Sequence, residues 1–346
     1  MRLTLFNVNL DKLPSRTMIP EFTVVIPTYQ RPALLLNCLE ALAKQRLPRD
    51  QYEVIVVDDG NSPETEAAVT QFARQIAQSG GPLEIRYLGQ PERRGPAAAR
   101  NRGWRAARGR VIAFTDDDCL PRPDWLPAAL ACFQRGAQVV TGQLRMPLPD
   151  SPTAHDRTTA LLETAEFITA NCFCRKSALE RVGGFEEDFD IAWREDSDLQ
   201  FKLIRAGIPI TRCPEAVIVH PMREAPWYAP LRDERKNSYD ALLYKRHPDL
   251  FRERIPAYRG LVLQYYASVL GIGTGVAGLL AGKPAVAVVG FGTWAVLSGD
   301  LILRHLPDQR VTWTDTKHAV ATGVATPFLS VYWRLYGAFK HKVLYW

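Results

Sequence analysis

Apolar positions follow two regimes along the 346 residues. Up to about residue 225, short β-branched runs alternate with segments whose apolar residues recur every three or four positions, as strands alternating with amphipathic helices do. Phe22-Thr23-Val24-Val25-Ile26 reads as a first strand, stopped by Pro27 and followed by a loop to Pro32. Leu35, Leu39 and Leu42 then mark a helix that ends before Pro48, and Glu53-Val54-Ile55-Val56-Val57 is a second strand running into Asp58-Asp59-Gly60. Strand, helix, strand at this spacing is a βαβ unit, parallel and right-handed by default. A helix over 63–78, a strand over 85–88, a helix over 96–107 and a strand over 111–115 continue the pattern. The expected fold class is α/β, a Rossmann-like, mostly parallel sheet flanked by helices.

Beyond Pro226 the pattern changes. Residues 223–259 mix charge with Trp227, Tyr228, Tyr239, Tyr244 and Phe251, and read as helices lying over one side of the α/β part or along a membrane surface. Residues 261–281 carry no charge and are long enough to span a bilayer. Gly271 and Gly275, like Gly278 and Gly282, are spaced for close helix contact in lipid. Lys283-Pro284 makes a turn into a second apolar stretch over 285–303, interrupted only by Asp300. A membrane hairpin and a hairpin buried in a soluble domain both fit this pattern. Arg252, Arg254 and Arg259 before it and Arg304 and Arg310 after it, against Lys283 alone at the turn, favour a hairpin with both ends cytoplasmic. A third apolar stretch over 319–336, broken by Pro327 and closing in Tyr332, Trp333, Arg334 and Tyr336, suits an interfacial helix or a third crossing. The expected division is a catalytic domain over 1–225, linker helices over 226–259 and membrane helices over 260–346.

Composition adds little to this picture. The net charge of +6 points to an anionic membrane surface or phosphate-bearing substrates; without a Lys/Arg block interleaved with aromatics, nucleic acid is not an expected partner. Cys38, Cys119, Cys132, Cys172, Cys174 and Cys213 form no CxxC pair and no zinc spacing, so free thiols in a reducing compartment are expected. With no long apolar run near Asp11, Lys12 and Arg16, the first domain is expected on the cytoplasmic side.

The candidate chemistry lies where strands end. Val111-Ile112-Ala113-Phe114-Thr115 runs straight into Asp116-Asp117-Asp118, and carboxylates packed that closely repel unless a cation or a set of donors neutralises them. Mg2+ or Mn2+ suits such hard oxygen ligands, and the carboxyl end of a parallel strand is where open α/β sheets place ligands. A solvated acidic turn is the competing reading. Asp58-Asp59 ends a neighbouring strand and would face the same crevice, or simply open a turn. In Gly95-Pro96-Ala97-Ala98-Ala99-Arg100-Asn101-Arg102-Gly103 small residues allow a helix to lie close on the sheet. Of Arg100, Arg102 and Arg105, Arg100 is the candidate to meet a diphosphate, a solvated face accounting for the others.

Taken in order, Val25-Ile26-Pro27-Thr28-Tyr29, Val56-Val57-Asp58-Asp59-Gly60, Ala99-Arg100-Asn101-Arg102-Gly103, Phe114-Thr115-Asp116-Asp117-Asp118 with Pro123-Asp124-Trp125-Leu126, Gly183-Gly184-Phe185, and Arg194-Glu195-Asp196-Ser197-Asp198-Leu199 resemble the motif series of family 2 glycosyltransferases with the GT-A fold. The resemblance covers roughly residues 20–225. It implies that Pro27, Thr28 and Asp59 hold the base of a nucleotide, most often the uracil of UDP, and that Tyr29, Arg31 and Arg100 belong to the same donor site. It also implies that Asp116 and Asp118 form the DxD pair, Asp118 ligating Mn2+ or Mg2+ and Asp117 or Asp116 lying near the ribose. By the same carry-over Asp196 is the general base, His220 binds metal or diphosphate (a structural strand-end histidine being the alternative), and Asn171 and Glu195 contact the donor sugar. Gln30, commonly Asn, and Asn61, inserted before Ser62, depart from the family pattern in loops.

The implied activity is an inverting, metal-dependent transfer of a sugar from a nucleotide-sugar donor to a lipid-linked or cell-surface glycan acceptor, at the cytoplasmic face of the plasma membrane and in contact with membrane lipid. One base and no second nucleophile favour direct displacement. A polyprenyl phosphate acceptor would need no base. A nucleotidyltransferase or a non-catalytic nucleotide-binding scaffold would have little use for Asp196.

Overall fold

The computed structural model describes residues 19–81, 83–256, 258–306 and 311–345. The N-terminal cations and Asp11, and Arg310, lie outside these. Eight strands form one sheet: β1 (Phe22–Thr28), β2 (Tyr52–Asp58), β3 (Glu84–Gly89), β4 (Val111–Phe114), β5 (Leu120–Pro121), β6 (Val139–Arg145), β7 (Cys172–Arg175) and β8 (Ile210–Val219), in the order β3-β2-β1-β4-β7-β6-β8-β5. The half β3-β2-β1-β4 is parallel throughout. Beyond it the sheet is mixed, with β7 antiparallel to β4 and β6, β8 parallel to β6, and β5 antiparallel to β8. Pro27 does not stop β1, which runs on to Thr28 with Pro27 opposite Val57.

The helices are, in chain order, α1 (Pro32–Ala43), α2 (Pro63–Gly80), α3 (Pro96–Ala106), α4 (Trp125–Gln134), α5 (Ala154–Ala160), α6 (Lys176–Val182), α7 (Glu195–Arg205), α8 (Ala229–Asp233), α9 (Asn237–Arg246), α10 (Pro248–Arg254), α11 (Arg259–Leu280), α12 (Pro284–His305) and α13 (Trp313–His341). Every residue of β1, β2 and β4 is buried, as strands covered on both faces require. Strand alternation divides the core in two. Phe22, Val24 and Ile26 pack with Leu35 and Leu39 of α1, Phe72 of α2 and Trp125 of α4, whereas Val25, Ile55 and Val57 pack with Ala97 and Trp104 of α3, Leu179 of α6 and Leu199 of α7. Gly103 lets α3 lie directly on the sheet: a Cβ there would come within 2.4 Å of Val25.

A third cluster joins the second half of the chain to the first. Phe189 and Phe201 pack with Tyr239, Leu242 and Leu243 of α9 and Phe251 of α10, with Tyr345 against them. The segment over 226–259 is thus fastened to α7 and the loop before it.

Gly271, Gly275 and Gly278 close the α11–α12 hairpin as their spacing predicts, whereas Gly282 makes no helix contact. Cβ atoms at Gly278 and Gly290 would come within 2.5 Å of the Ala287 nitrogen and 2.3 Å of the Gly275 nitrogen, while Gly282 lies in the turn at φ +65°. α11 and α12 are the described helices long and apolar enough to cross a membrane, and only 17% and 22% of their apolar windows are buried. Leu270, Leu280, Val288 and Val296 stand in the open, so the hairpin is not buried within the core of this chain. The break expected at Pro327 does not occur: α13 runs straight through it. Thr322, Gly323, Thr326, Pro327, Ser330 and Gly337 are buried along that helix, so tertiary packing outweighs the backbone hydrogen bond that proline removes.

Candidate active site

The ends of β1, β2 and β4 open on one side of the sheet, and the acidic triplet follows β4 there. Its three carboxylates point to different partners. Asp117 is buried, accepts a 2.7 Å hydrogen bond from Thr28 Oγ1 and lies 3.3 Å from Arg31 Nη1. Burial pushes its pKa up to about 6, against the pull of Arg31 and Thr28. Asp118 lies 3.0 Å from Arg223 Nε, 3.4 Å from His220 Nε2 and 3.7 Å from Arg31 Nη1. Asp116 accepts a 2.7 Å bond from Arg100 Nη2.

Three arginines therefore already offset much of the triplet's charge, and neutrality alone would not call for a metal. The donor set does fit one: ligand atoms of Asp116, Asp118, Cys119 and His220 all lie within 4.8 Å of one another. Burial raises the Cys119 thiol well above its ordinary range, which leaves two carboxylates and an imidazole, an oxygen-rich set suited to a hard divalent ion.

Arg100 is the hub of the site. Only 2% exposed, it bridges Asp116 through Nη2 and Glu195 through Nη1 at 3.1 Å. Burial alone would lower its pKa, but Asp116 and Glu195 reverse this and hold it charged. Arg102 is exposed and Arg105 pairs at the surface with Glu187, so the solvated reading holds for those two.

Glu195 and Asp196 open α7. Glu195 Oε2 is buried and has no hydrogen-bond partner among the described residues, and burial together with the neighbouring Asp196 raises the carboxyl's pKa despite Arg100. Asp196 Oδ1 accepts from the Ser197 backbone nitrogen at 2.6 Å, and burial raises its pKa as well. Arg194, the residue before this pair, sits at φ 72°, a left-handed conformation that costs a non-glycine residue roughly 1–2 kcal/mol.

Other predicted residues serve the scaffold. Asp58 accepts from the Gly60 and Ser62 nitrogens and from Tyr87. Asp59 accepts from Gln90 Nε2 at 2.7 Å and from the Arg94 and Gly95 nitrogens, each at 2.8 Å, so both its oxygens are committed to the loop before α3. Tyr29 lies beneath the Arg93 guanidinium at 4.3 Å, and a Cβ at Gly60 would touch its ring at 3.0 Å. The expectation for Asn171 needs correcting. It is fully buried, donates to the Gln143 and Ala216 carbonyls and accepts from Trp125 Nε1, so its amide spans the β6 irregularity between Gly142 and Gln143 instead of facing a sugar. Gln30 (φ 52°) and Asn61 (φ 48°), the two loop departures, both occupy the left-handed region. Arg223 escaped the sequence reading; its sole signal is a position three residues after His220, on a loop without periodicity.

Residues 23–187 match the sequence profile of Glycosyl transferase family 2. Glycosyltransferase AglE of Haloferax volcanii is 30% identical over 219 residues, spanning 59% of this chain and 68% of that protein. The pre-mycofactocin glycosyltransferase of Mycobacterium tuberculosis is 30% identical over 335 residues, 89% of this chain but 63% of its own length. The fold is matched by a mannosyltransferase from Pyrobaculum calidifontis solved with GDP-Man and Mn2+, at a TM-score of 0.54 and 20% identity, over 93% of this chain and 87% of that one. A mixed sheet flanked by helices, with an acidic crevice at its strand ends, is that of a GT-A glycosyltransferase. The chain belongs to glycosyl transferase family 2 and is a glycosyltransferase.

Proposed function

We propose that the protein is an inverting, divalent-metal-dependent glycosyltransferase that moves a sugar from a nucleoside diphosphate donor, UDP by first expectation, to a hydroxyl of a lipid-linked or cell-surface glycan. The observation that carries this is the pairing of two carboxylate clusters through buried Arg100: Asp116 with Asp118 and His220 on one side, Glu195 with Asp196 on the other. A divalent cation held by Asp116, Asp118 and His220 would supply Lewis-acid stabilisation of the charge that builds on the leaving diphosphate.

The chain's own residues do the rest. Arg31 and Arg223, both beside Asp118, are placed to meet phosphate oxygens. The Thr28 and Tyr29 turn faces the nucleotide, while Asp59 shapes its wall by fixing residues 90–95. Asp196 Oδ2, free of hydrogen bonds within the described residues, accepts the acceptor's proton as its oxygen attacks. The raised pKa makes this carboxylate a stronger base than an exposed one. With one base and no second nucleophile, the displacement inverts the anomeric carbon.

The exposed α11–α12 hairpin supports membrane embedding, with Arg259 and Arg304 at its open end, Lys283 at its turn, and the catalytic part on the cytoplasmic side. We divide the chain accordingly into catalytic residues 1–225, acceptor-side helices over 226–259 and membrane helices over 260–346. Protein in carbonate-washed membranes is expected to stay in the pellet; release into the supernatant would contradict a spanning hairpin.

The donor site is tested by thermal shift of the detergent-purified protein with UDP, GDP, CDP and TDP sugars, each with and without Mn2+ or Mg2+. The GDP-Man and Mn2+ of the fold neighbour motivate that panel. One nucleotide class should stabilise the protein only when metal is present, by about 2.7 kcal/mol at a hundredfold excess over Kd. Asp118→Ala should abolish the shift. A panel flat under every metal overturns the reading.

A further inference from the structure

The first turn of α7 carries the base, yet it begins at a residue in an unfavourable conformation, and something must hold it there. Arg194 has φ 72° and ψ −8°, and its carbonyl accepts the opening hydrogen bond of α7 from the Asp198 nitrogen at 2.9 Å. The direction of the helix start therefore depends on this one residue. Its side chain is fastened from outside the catalytic part: Arg194 Nε donates to Asp240 Oδ1 of α9 at 2.7 Å, with the two side chains 18% and 9% exposed. The guanidinium also lies 4.8 Å over the Trp193 ring, which Lys236 approaches at 5.3 Å.

A second tie lies just beyond the base. Asp198 is fully buried and accepts from Arg246 Nε at 2.6 Å and His247 Nε2 at 3.0 Å, both from the end of α9. α9 is itself seated on α13, where a Cβ at Gly337 would come within 2.5 Å of the Ser238 carbonyl. Asp196 thus sits between two anchors on one helix, and that helix is packed on the last helix of the chain.

We propose that Asp240 is a positioning residue for sugar transfer: by holding Arg194 in the left-handed conformation it fixes the first turn of α7 and so the aim of the Asp196 carboxylate. Among the described residues Asp240 makes no hydrogen bond or ion pair with a group assigned to the donor or the metal, and its tie toward Asp196 is the one to Arg194. The inference rests on Asp196 being the base. Without the ion pair Arg194 relaxes toward ordinary backbone angles, the turn rotates, and the proton acceptor is misplaced while the donor crevice stays intact. Glycine adopts the left-handed region without that penalty, so it should keep the turn in place with no side-chain tether.

The test is a double-mutant cycle on the detergent-purified enzyme, with kcat and donor KM measured for D240A, R194G and the pair; alanine, unlike asparagine, leaves Arg194 no oxygen to donate to. D240A should lower kcat about 10- to 100-fold, the cost of a small misplacement at the reacting atoms, with donor KM unchanged. Adding R194G to D240A should recover most of that loss, an interaction between sites and not a sum of two defects. Additive losses, or a D240A enzyme with wild-type kcat, overturn the proposal. A D240A enzyme that loses donor-induced thermal stabilisation as well overturns it too, since the damage then reaches the crevice. Asp196→Asn, run alongside, separates the two readings: if it leaves kcat unchanged the base assignment fails, whereas if it lowers kcat and D240A does not, the positioning role alone fails.

Discussion

With Asp196 as the proposed base, Asp196→Asn is expected to lower kcat by about 10²- to 10⁴-fold, the range for a lost general base, and to leave donor KM nearly unchanged. The amide keeps the size of the side chain and can still meet Ser197, so α7 and its first turn survive. What disappears is a group able to take the acceptor's proton. The pH profile sharpens the expectation. Burial raises the folded-state pKa of Asp196, the base works only when ionised, and so the wild-type rate climbs with pH along an acid limb lying above the usual carboxylate range. In Asp196→Asn that limb flattens. A variant that loses donor affinity while keeping kcat would make Asp196 a binding residue.

Arg100→Met should be the most destabilising single change in the site. Removing one partner of a buried ion pair typically costs about 3–5 kcal/mol, because the remaining charge stays buried and uncompensated. Here the loss strands Glu195, which is 4% exposed and already has one oxygen without a hydrogen bond. Arg100→Met/Glu195→Gln should recover part of the loss by removing that orphaned charge. Lysine should not substitute well, since Arg100 reaches Asp116 and Glu195 with two different nitrogens of one planar group. Denaturant unfolding measures both variants; a loss below about 1 kcal/mol for Arg100→Met would put the pair in the class of solvated surface bridges.

Most of the parallel half of the sheet was legible because β1, β2 and β4 are largely apolar runs, which period and length identify without reference to partners. The mixed half was not. β5 has two residues, and β5 and β7 both take their place by antiparallel pairing with segments distant along the chain, which no local period reports. The site divides in the same way. Asp116 and Asp118 follow a strand that the apolar pattern marks and Arg100 lies within a predicted helix, whereas Glu195, Asp196 and His220 stand in motifs that the family resemblance singles out. The structure brings Asp116, Asp118 and His220 together and joins Asp116 to Glu195 through Arg100. Arg223 lies on an irregular loop, and the left-handed Arg194 pairs with a carboxylate 46 residues away. Asn171 was misjudged because a buried amide and a ligand-facing one look alike in sequence. Only the irregularity at Gly142, where a Cβ would strike the Asn171 side chain at 2.4 Å, shows where that amide is needed.

The triple acceptance by Asp59 has a kinetic consequence. Because the loop from Gln90 to Gly95 is latched to the end of β2, with Arg93 resting on Tyr29, that wall of the crevice is formed before any nucleotide arrives. An incoming donor need not freeze the loop, so the ordering entropy that slows and weakens capture by mobile walls is absent on this side. Encounter there should be governed by diffusion and by the electrostatic pull of the neighbouring arginines, a dependence that would appear as an association rate falling with ionic strength.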